Sequence, residues 1–214
     1  MALSGLFLII FLLQHLIINS LSVISPDSFN EVSHFMGTNP MVQFLLQPIL
    51  IFGVLLHLGM GIIIEQKNRN ARPIKYAFSK AGANSSWMSR NMIITGVTVM
   101  LFLGLHFYDF WFPEINTKYI VGDMSGMLEG SESFRYFAEL QHKFVSPVRI
   151  GIYCLAFVFL SLHLLHGFQS SFQSVGFKNR KYAPTIEKIG NVYAVLVPLG
   201  FTAIALFHFI NASH

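Results

Sequence analysis

An all-α integral membrane bundle of five transmembrane helices is the fold this sequence predicts, and three observations predict it. The 214-residue chain is 53% hydrophobic and only 11% charged, far from the roughly quarter-charged make-up of a soluble domain. Its mean hydropathy is +0.56. Its charges gather into short polar segments and leave five charge-free windows. Each window is near or beyond the ~20 residues that cross a bilayer as helix, and a charge at the bilayer centre costs about 2.5–3.5 kcal/mol.

The first window, Met1–Pro26, has no basic n-region and no small-x-small cleavage site, so it predicts a first span rather than a signal peptide. The second to fifth spans are expected within Val32–Ile64, Asn91–Tyr108, Ile150–Phe177 and Ile189–His214. Loop charge sets the expected orientation. Between spans two and three lie Lys67, Arg69, Arg72, Lys75, Lys80 and Arg90 against the single acid Glu65, and Lys178–Lys188 holds four bases against Glu187. Those loops are expected in the cytoplasm, with the N-terminus inside and the C-terminus outside. The opposite side holds Asp27, Glu31 and the acid-rich segment 109–149. There Pro113–Ser146 is expected to form an extracytoplasmic loop with a short helix around Ser133–Lys143. No repeat or low-complexity segment divides the chain, so residues 1–214 read as a single domain.

Several function classes fall away. The formal charge of +4 sits in two clusters between apolar runs rather than along one face, which excludes nucleic-acid binding. A single cysteine, Cys154, excludes an internal disulfide, a CxxCH haem site and a four-cysteine iron–sulfur cluster held by this chain alone.

Nine histidines are many for so apolar a chain, and four spans each carry one well inside: His15, His57, His106 and His163. At ~1.5 Å per residue, His57 and His163 lie roughly 10 Å from the inner ends of their helices. His15 and His106 lie roughly 20–24 Å from the same side. Two pairs of imidazoles at matched depths, each from two helices, suit bis-histidine ligation of two b-type haems. Around His57, Gly53 and Gly61 stand four residues before and after, and Gly167 stands four after His163. Residues four apart share a helix face, so glycine there offers a shelf for a porphyrin. His166 is the competing ligand and lacks that glycine.

Other readings of the same histidines are hydrogen bonding at helix interfaces, a proton relay and a single metal site. His34, His142, His208 and His214 are expected near the outer surface as solvated or loop-packing residues. Ser4, Trp87, Ser89 and Arg90 sit where the inner haem's propionates would emerge, with Arg90 as counter-ion or as a snorkelling base. Asp109, within the aromatic belt "FYDFWF", is expected either to exchange a proton with a quinone at the outer haem or to be a solvated helix end.

The stretches "MALSGLFLIIFLLQHL", "SRNMIITGVTVMLFLGLHFYDFWFP" and "HLLHGFQSSFQSVG" together resemble the five-helix cytochrome b subunit of succinate dehydrogenases and fumarate reductases, closest to the single-chain, two-haem type of bacteria that use menaquinone. The resemblance implies ligands at His15, His57, His106 and His163, with the first span paired to the third and the second to the fourth. It implies a multi-pass protein of the bacterial inner membrane that anchors a flavoprotein with FAD and an iron–sulfur protein on its cytoplasmic face. Electrons would pass through two haems b between the iron–sulfur clusters and menaquinone, in a heterotrimer that can itself form an oligomer. Dicarboxylate chemistry would stay on the partners, because this chain has no nucleotide motif. A cytochrome b subunit of a hydrogenase or formate dehydrogenase, or a histidine-lined transporter, are the rival readings.

Overall fold

Proline and asparagine punctuate the helices more finely than charge does. The computed structural model describes residues 1–70, 91–176 and 181–212. Trp87, Ser89, Arg90 and His214 lie outside them, as do Arg72, Lys75, Lys80, Lys178 and Arg180. The described residues form helices α1 (Ala2–Ile24), α2 (Pro26–Thr38), α3 (Val42–Asn70), α4 (Met92–Val121), α5 (Tyr136–Lys143), α6 (Pro147–Ser174) and α7 (Ala183–Ala212). Five of them, α1, α3, α4, α6 and α7, are long and apolar enough to cross a membrane, as the windows require.

Three boundaries differ from expectation. The window Val32–Ile64 is broken before Pro40, because the residue preceding proline is pushed out of the helical region. Asn39 takes φ −67°, ψ 122°, and its side chain accepts from the backbone N–H of Met41 at 2.9 Å and of Val42 at 3.3 Å, capping α3. The third span runs past Tyr108 to Val121. Glu114 and Lys118 lie on that extension one turn apart and pair at 2.5 Å, so charge alone ended the window too soon. The loop expected over Pro113–Ser146 shrinks accordingly. α4 stops where Gly122 takes φ +86°, a left-handed turn that favours glycine. The third difference is α7, which starts at Ala183, ahead of Glu187 and Lys188.

Pro113 lies inside α4, where it has no N–H to give the carbonyl of Asp109. The helix answers with a wide π turn over Phe107–Trp111, and Pro48 in α3 is preceded by another over Val42–Leu46.

α1, α3, α4 and α6 form a four-helix ring in that order, with α1 and α4 on one diagonal and α3 and α6 on the other. α7 packs along α6 and α1. Gly190 permits the close approach there: a Cβ would stand 2.6 Å from Cδ1 of the buried Phe168. The core lies toward one end, where Phe29 of α2 and Leu140 of α5 join Tyr153, Phe157, Val197 and Phe201 of α6 and α7. Leu3, Ile10, Ile17, Leu55, Leu101 and Leu155 are among many exposed apolar residues on the spans, the surface that lipid covers.

The two ends differ chemically. The end where α1, α4 and α7 begin and α3 and α6 finish carries Lys67 and Arg69 and is called here the basic end. The other end is closed by α2 and α5. There the Lys118 ammonium, 2% exposed, donates to the Gly37 carbonyl and pairs with Glu114. Arg135 bridges Glu114 and Glu139. Burial opposes the Arg135 charge, yet hydrogen bonds and attraction from Glu139 and Glu114 raise its pKa on balance. The Phe137 N–H donates to Asn30 at 2.8 Å, tying α5 to α2.

Candidate functional site

Four helices bring their histidines to the inside of the ring at two levels. Toward the basic end, His57 of α3 faces His163 of α6 with ring centroids 6.2 Å apart and planes at 73°. Toward the closed end, His15 of α1 faces His106 of α4 with centroids 5.7 Å apart and planes at 88°. Each pair spans one diagonal of the ring, and the two diagonals cross. It is His163 rather than His166 that stands opposite His57.

Metal–imidazole bonds of about 2 Å on both faces of an iron would hold two ligating rings with centroids roughly 6 Å apart. Both observed separations match that spacing. The donor set fits as well: the His57 and His163 Nδ1 atoms lie 3.3 Å from the hydroxyls of Ser4 and Thr95 respectively. The Met1 backbone also hydrogen-bonds the His57 ring. In the second pair, Asn19 Nδ2 is equidistant, at 3.4 Å, from both ring nitrogens of His15 and donates to the His15 carbonyl at 2.8 Å. His106 Nδ1 is buried without a partner. Phe11, Phe102, Phe110 and Phe201 surround this pair at 5.2 to 5.9 Å between centroids. Among the described residues, no group of three or more His, Cys, Asp or Glu side chains is gathered as a single metal ion would need.

The glycines have more varied work than a porphyrin shelf. A Cβ on Gly53 would stand 2.9 Å from Phe7 Cε1, so Gly53 serves the approach of α1 to α3. At Gly61 and Gly167 a Cβ would meet only the tips of Met1 and Met92, at 3.5 and 3.6 Å. Sequence spacing missed Gly96, where a Cβ would lie 3.5 Å from His163 Cε1, and Gly5, where it would lie 3.6 Å from His57 Cε1 and 2.6 Å from Ser171 Oγ. These two let α4 and α1 approach the imidazoles.

Other expected site residues are placed as follows. Ser4 is beside the His57 ring. Asp109 is 1% exposed, which overturns the solvated-helix-end alternative. Tyr153 of α6 donates to Asp109 Oδ2 at 2.8 Å, and Arg149 Nη2 lies 3.2 Å from Oδ1. The wide turn over Phe107–Trp111 carries Asp109 inward toward α6, which residue spacing alone does not reveal. Trp87 and Arg90 lie outside the described residues. Of the two expectations for His208, solvated or loop-packing, the second holds: it is fully buried, turned by α7 to Ser22 Oγ at 2.8 Å and packed on Phe137 and Phe144 of the segment before α6, with Phe207 beside it. His34 is a loop-packing residue, stacked on Phe134 at 4.1 Å, and His142 is exposed.

A cavity of about 250 Å³ opens near the closed end, lined among others by Gln43, Gln47, Ile51, Trp111, Glu114 and Lys118. Trp111 follows His106 by under two turns, so along α4 the cavity neighbours the second pair.

No family model and no solved structure matches the chain. Among curated proteins it is similar to the succinate dehydrogenase cytochrome b558 subunit of Bacillus subtilis (strain 168), 25% identical over 177 residues, which cover 72% of this chain and 83% of that protein. Five apolar spans and that likeness make this chain a multi-pass protein of the bacterial membrane that resembles the cytochrome b subunit of a succinate dehydrogenase.

Proposed function

We propose that this chain is the membrane-anchor cytochrome b subunit of a succinate:quinone oxidoreductase, transferring electrons between an iron–sulfur subunit and menaquinone. The observation that carries the reading is the pair of facing imidazole couples, 6.2 and 5.7 Å apart, on crossed diagonals of one helix ring. His57 and His163 would hold one haem b, and His15 and His106 the other. A bis-imidazole haem supplies one-electron redox chemistry in a medium that excludes water. The chain's part is to fix the ligand rings, to keep the surroundings apolar with the phenylalanines about His15 and His106, and to separate the two levels along the bundle.

The basic end is proposed as cytoplasmic, because Lys67, Arg69 and the loop beyond them follow the positive-inside bias. A flavoprotein and an iron–sulfur protein would dock there, and Trp87 and Arg90 are proposed to meet the inner haem's propionates. The quinone is proposed at the closed end. The cavity beside Trp111 is apolar, and Glu114 and Lys118 at its wall could exchange protons with a quinone head group. Asp109, locked to Tyr153 and Arg149, would serve as a second proton group for that site.

The test is a dithionite-reduced minus oxidised spectrum of the complex isolated from membranes, with haem quantified per chain. Two haems per chain are expected, with a flavoprotein co-purifying; no α band would refute the reading. His163→Ala should remove one haem while His166→Ala retains both, and the opposite result would exchange the two assignments.

A further inference from the structure

Resting on the haem reading above, we infer that Ser4 and Thr95 are positioning residues that fix the tautomer of the imidazole pair nearest the basic end. They hold His57 and His163 as Nδ1–H forms with Nε2 free for iron.

A hydroxyl has one hydrogen to give. Ser4 Oγ donates its hydrogen to the Met1 carbonyl at 2.8 Å, and Thr95 Oγ1 donates to the Met92 carbonyl at 3.0 Å. Both bonds close the first turn of a helix, three residues back, where carbonyls and short hydroxyl side chains meet readily. Each oxygen then offers only lone pairs to its second neighbour, 3.3 Å away: His57 Nδ1 for Ser4 and His163 Nδ1 for Thr95. The imidazole is therefore the donor, to Thr95 at His163 and to Ser4 together with the Met1 backbone at His57, which places the proton on Nδ1 of both rings and the lone pair on Nε2. Thr95 is 2% exposed and Gly96 beside it leaves room for the His163 ring, so this acceptor is held without competition from water.

The second pair has no such device. His106 Nδ1 is buried without a partner, and the Asn19 amide singles out neither nitrogen of His15. An acceptor on Nδ1–H makes an imidazole a better donor to its metal, and outer-shell partners of this kind typically change metal affinity 10–100-fold. The hydroxyls therefore act on one haem and leave the other alone.

The assembled complex tests this with Thr95→Val, Ser4→Ala and Thr95→Ser, reading both haem midpoint potentials by redox titration. Removing either hydroxyl is expected to weaken the ferric form relative to the ferrous about tenfold at one haem, a rise of 59 mV for a one-electron couple. The other haem's midpoint should not move, and Thr95→Ser should restore the wild-type value. Loss of that haem in Thr95→Val, rescued by Thr95→Ser, would support the assignment equally. Unchanged midpoints in both Thr95→Val and Ser4→Ala, or a defect that Thr95→Ser fails to rescue, would overturn it while the two-haem reading stands. A wild-type complex without haem would instead remove the reading beneath it.

Discussion

Buried and half-buried polar side chains in this bundle divide according to what faces them. His208 has a hydroxyl partner in Ser22 and aromatic walls but no second imidazole, so it is a packing residue. His57, His163, His15 and His106 each have another imidazole across the ring. Asp109 faces no imidazole and ties α4 to α6 through Tyr153 and Arg149, whatever proton it exchanges with a quinone. Replacing it by Leu strands the Tyr153 hydroxyl, and a buried polar group left unsatisfied costs about 2 kcal/mol. Asp109→Asn keeps an oxygen for Tyr153 and gives up only the charge facing Arg149, whose side chain is 29% exposed, so its cost should be less than half as large. Thermal unfolding of the two detergent-solubilised variants measures the difference; equal losses would show that Tyr153 contributes nothing. Depth along a helix made the four facing histidines legible in the sequence, because a ~1.5 Å rise per residue needs no tertiary knowledge. Direction around the helix axis was not legible for Asp109, which a π turn rotates, or for His208, whose helix packs from outside the ring.

The spans could be read from charge and length alone, and the errors arose where a helix neutralises its own charges or where proline stops it. Glu114 and Lys118 cancel within α4, and Pro40 divides a window that is apolar on both sides. The short helix α5 was also legible, from the pattern over Ser133–Lys143, but what it does was not. It closes the end of the bundle through Arg135, Phe137 and Tyr136. Burial, and next the nearby Glu114 carboxylate, push the Tyr136 phenol up to about 12. The folded state thus favours the neutral phenol, so its contribution is complete below pH 10 and is lost as the pH rises through about 12. The melting temperature of the wild type should therefore fall more steeply between pH 10 and 12 than that of Tyr136→Phe. Parallel curves would mean that the phenol ionises as freely in the fold as outside it.

At the scale of the whole bundle, neighbouring helices supply the packing and diagonal helices supply the imidazoles. α1 packs on α3 and α6, yet its His15 faces α4; α3 packs on α1, yet its His57 faces α6. A ligand held on a diagonal depends on both of its helices, and a second ligand on the other diagonal depends on neither of those. Residues that act as one unit are non-additive when removed together, whereas separate units add. Replacing any one of His15, His57, His106 or His163 by Ala should leave one haem per chain. His15→Ala with His106→Ala should also leave one, as should His57→Ala with His163→Ala. A double variant taking one residue from each diagonal, such as His15→Ala with His57→Ala, should leave none. Haem per chain, counted after extraction from the intact complex, separates this pattern from its rivals. If His15→Ala with His57→Ala kept one haem, the ligands would pair along neighbouring helices instead, and the crossed arrangement would fail even though the four histidines bind haem.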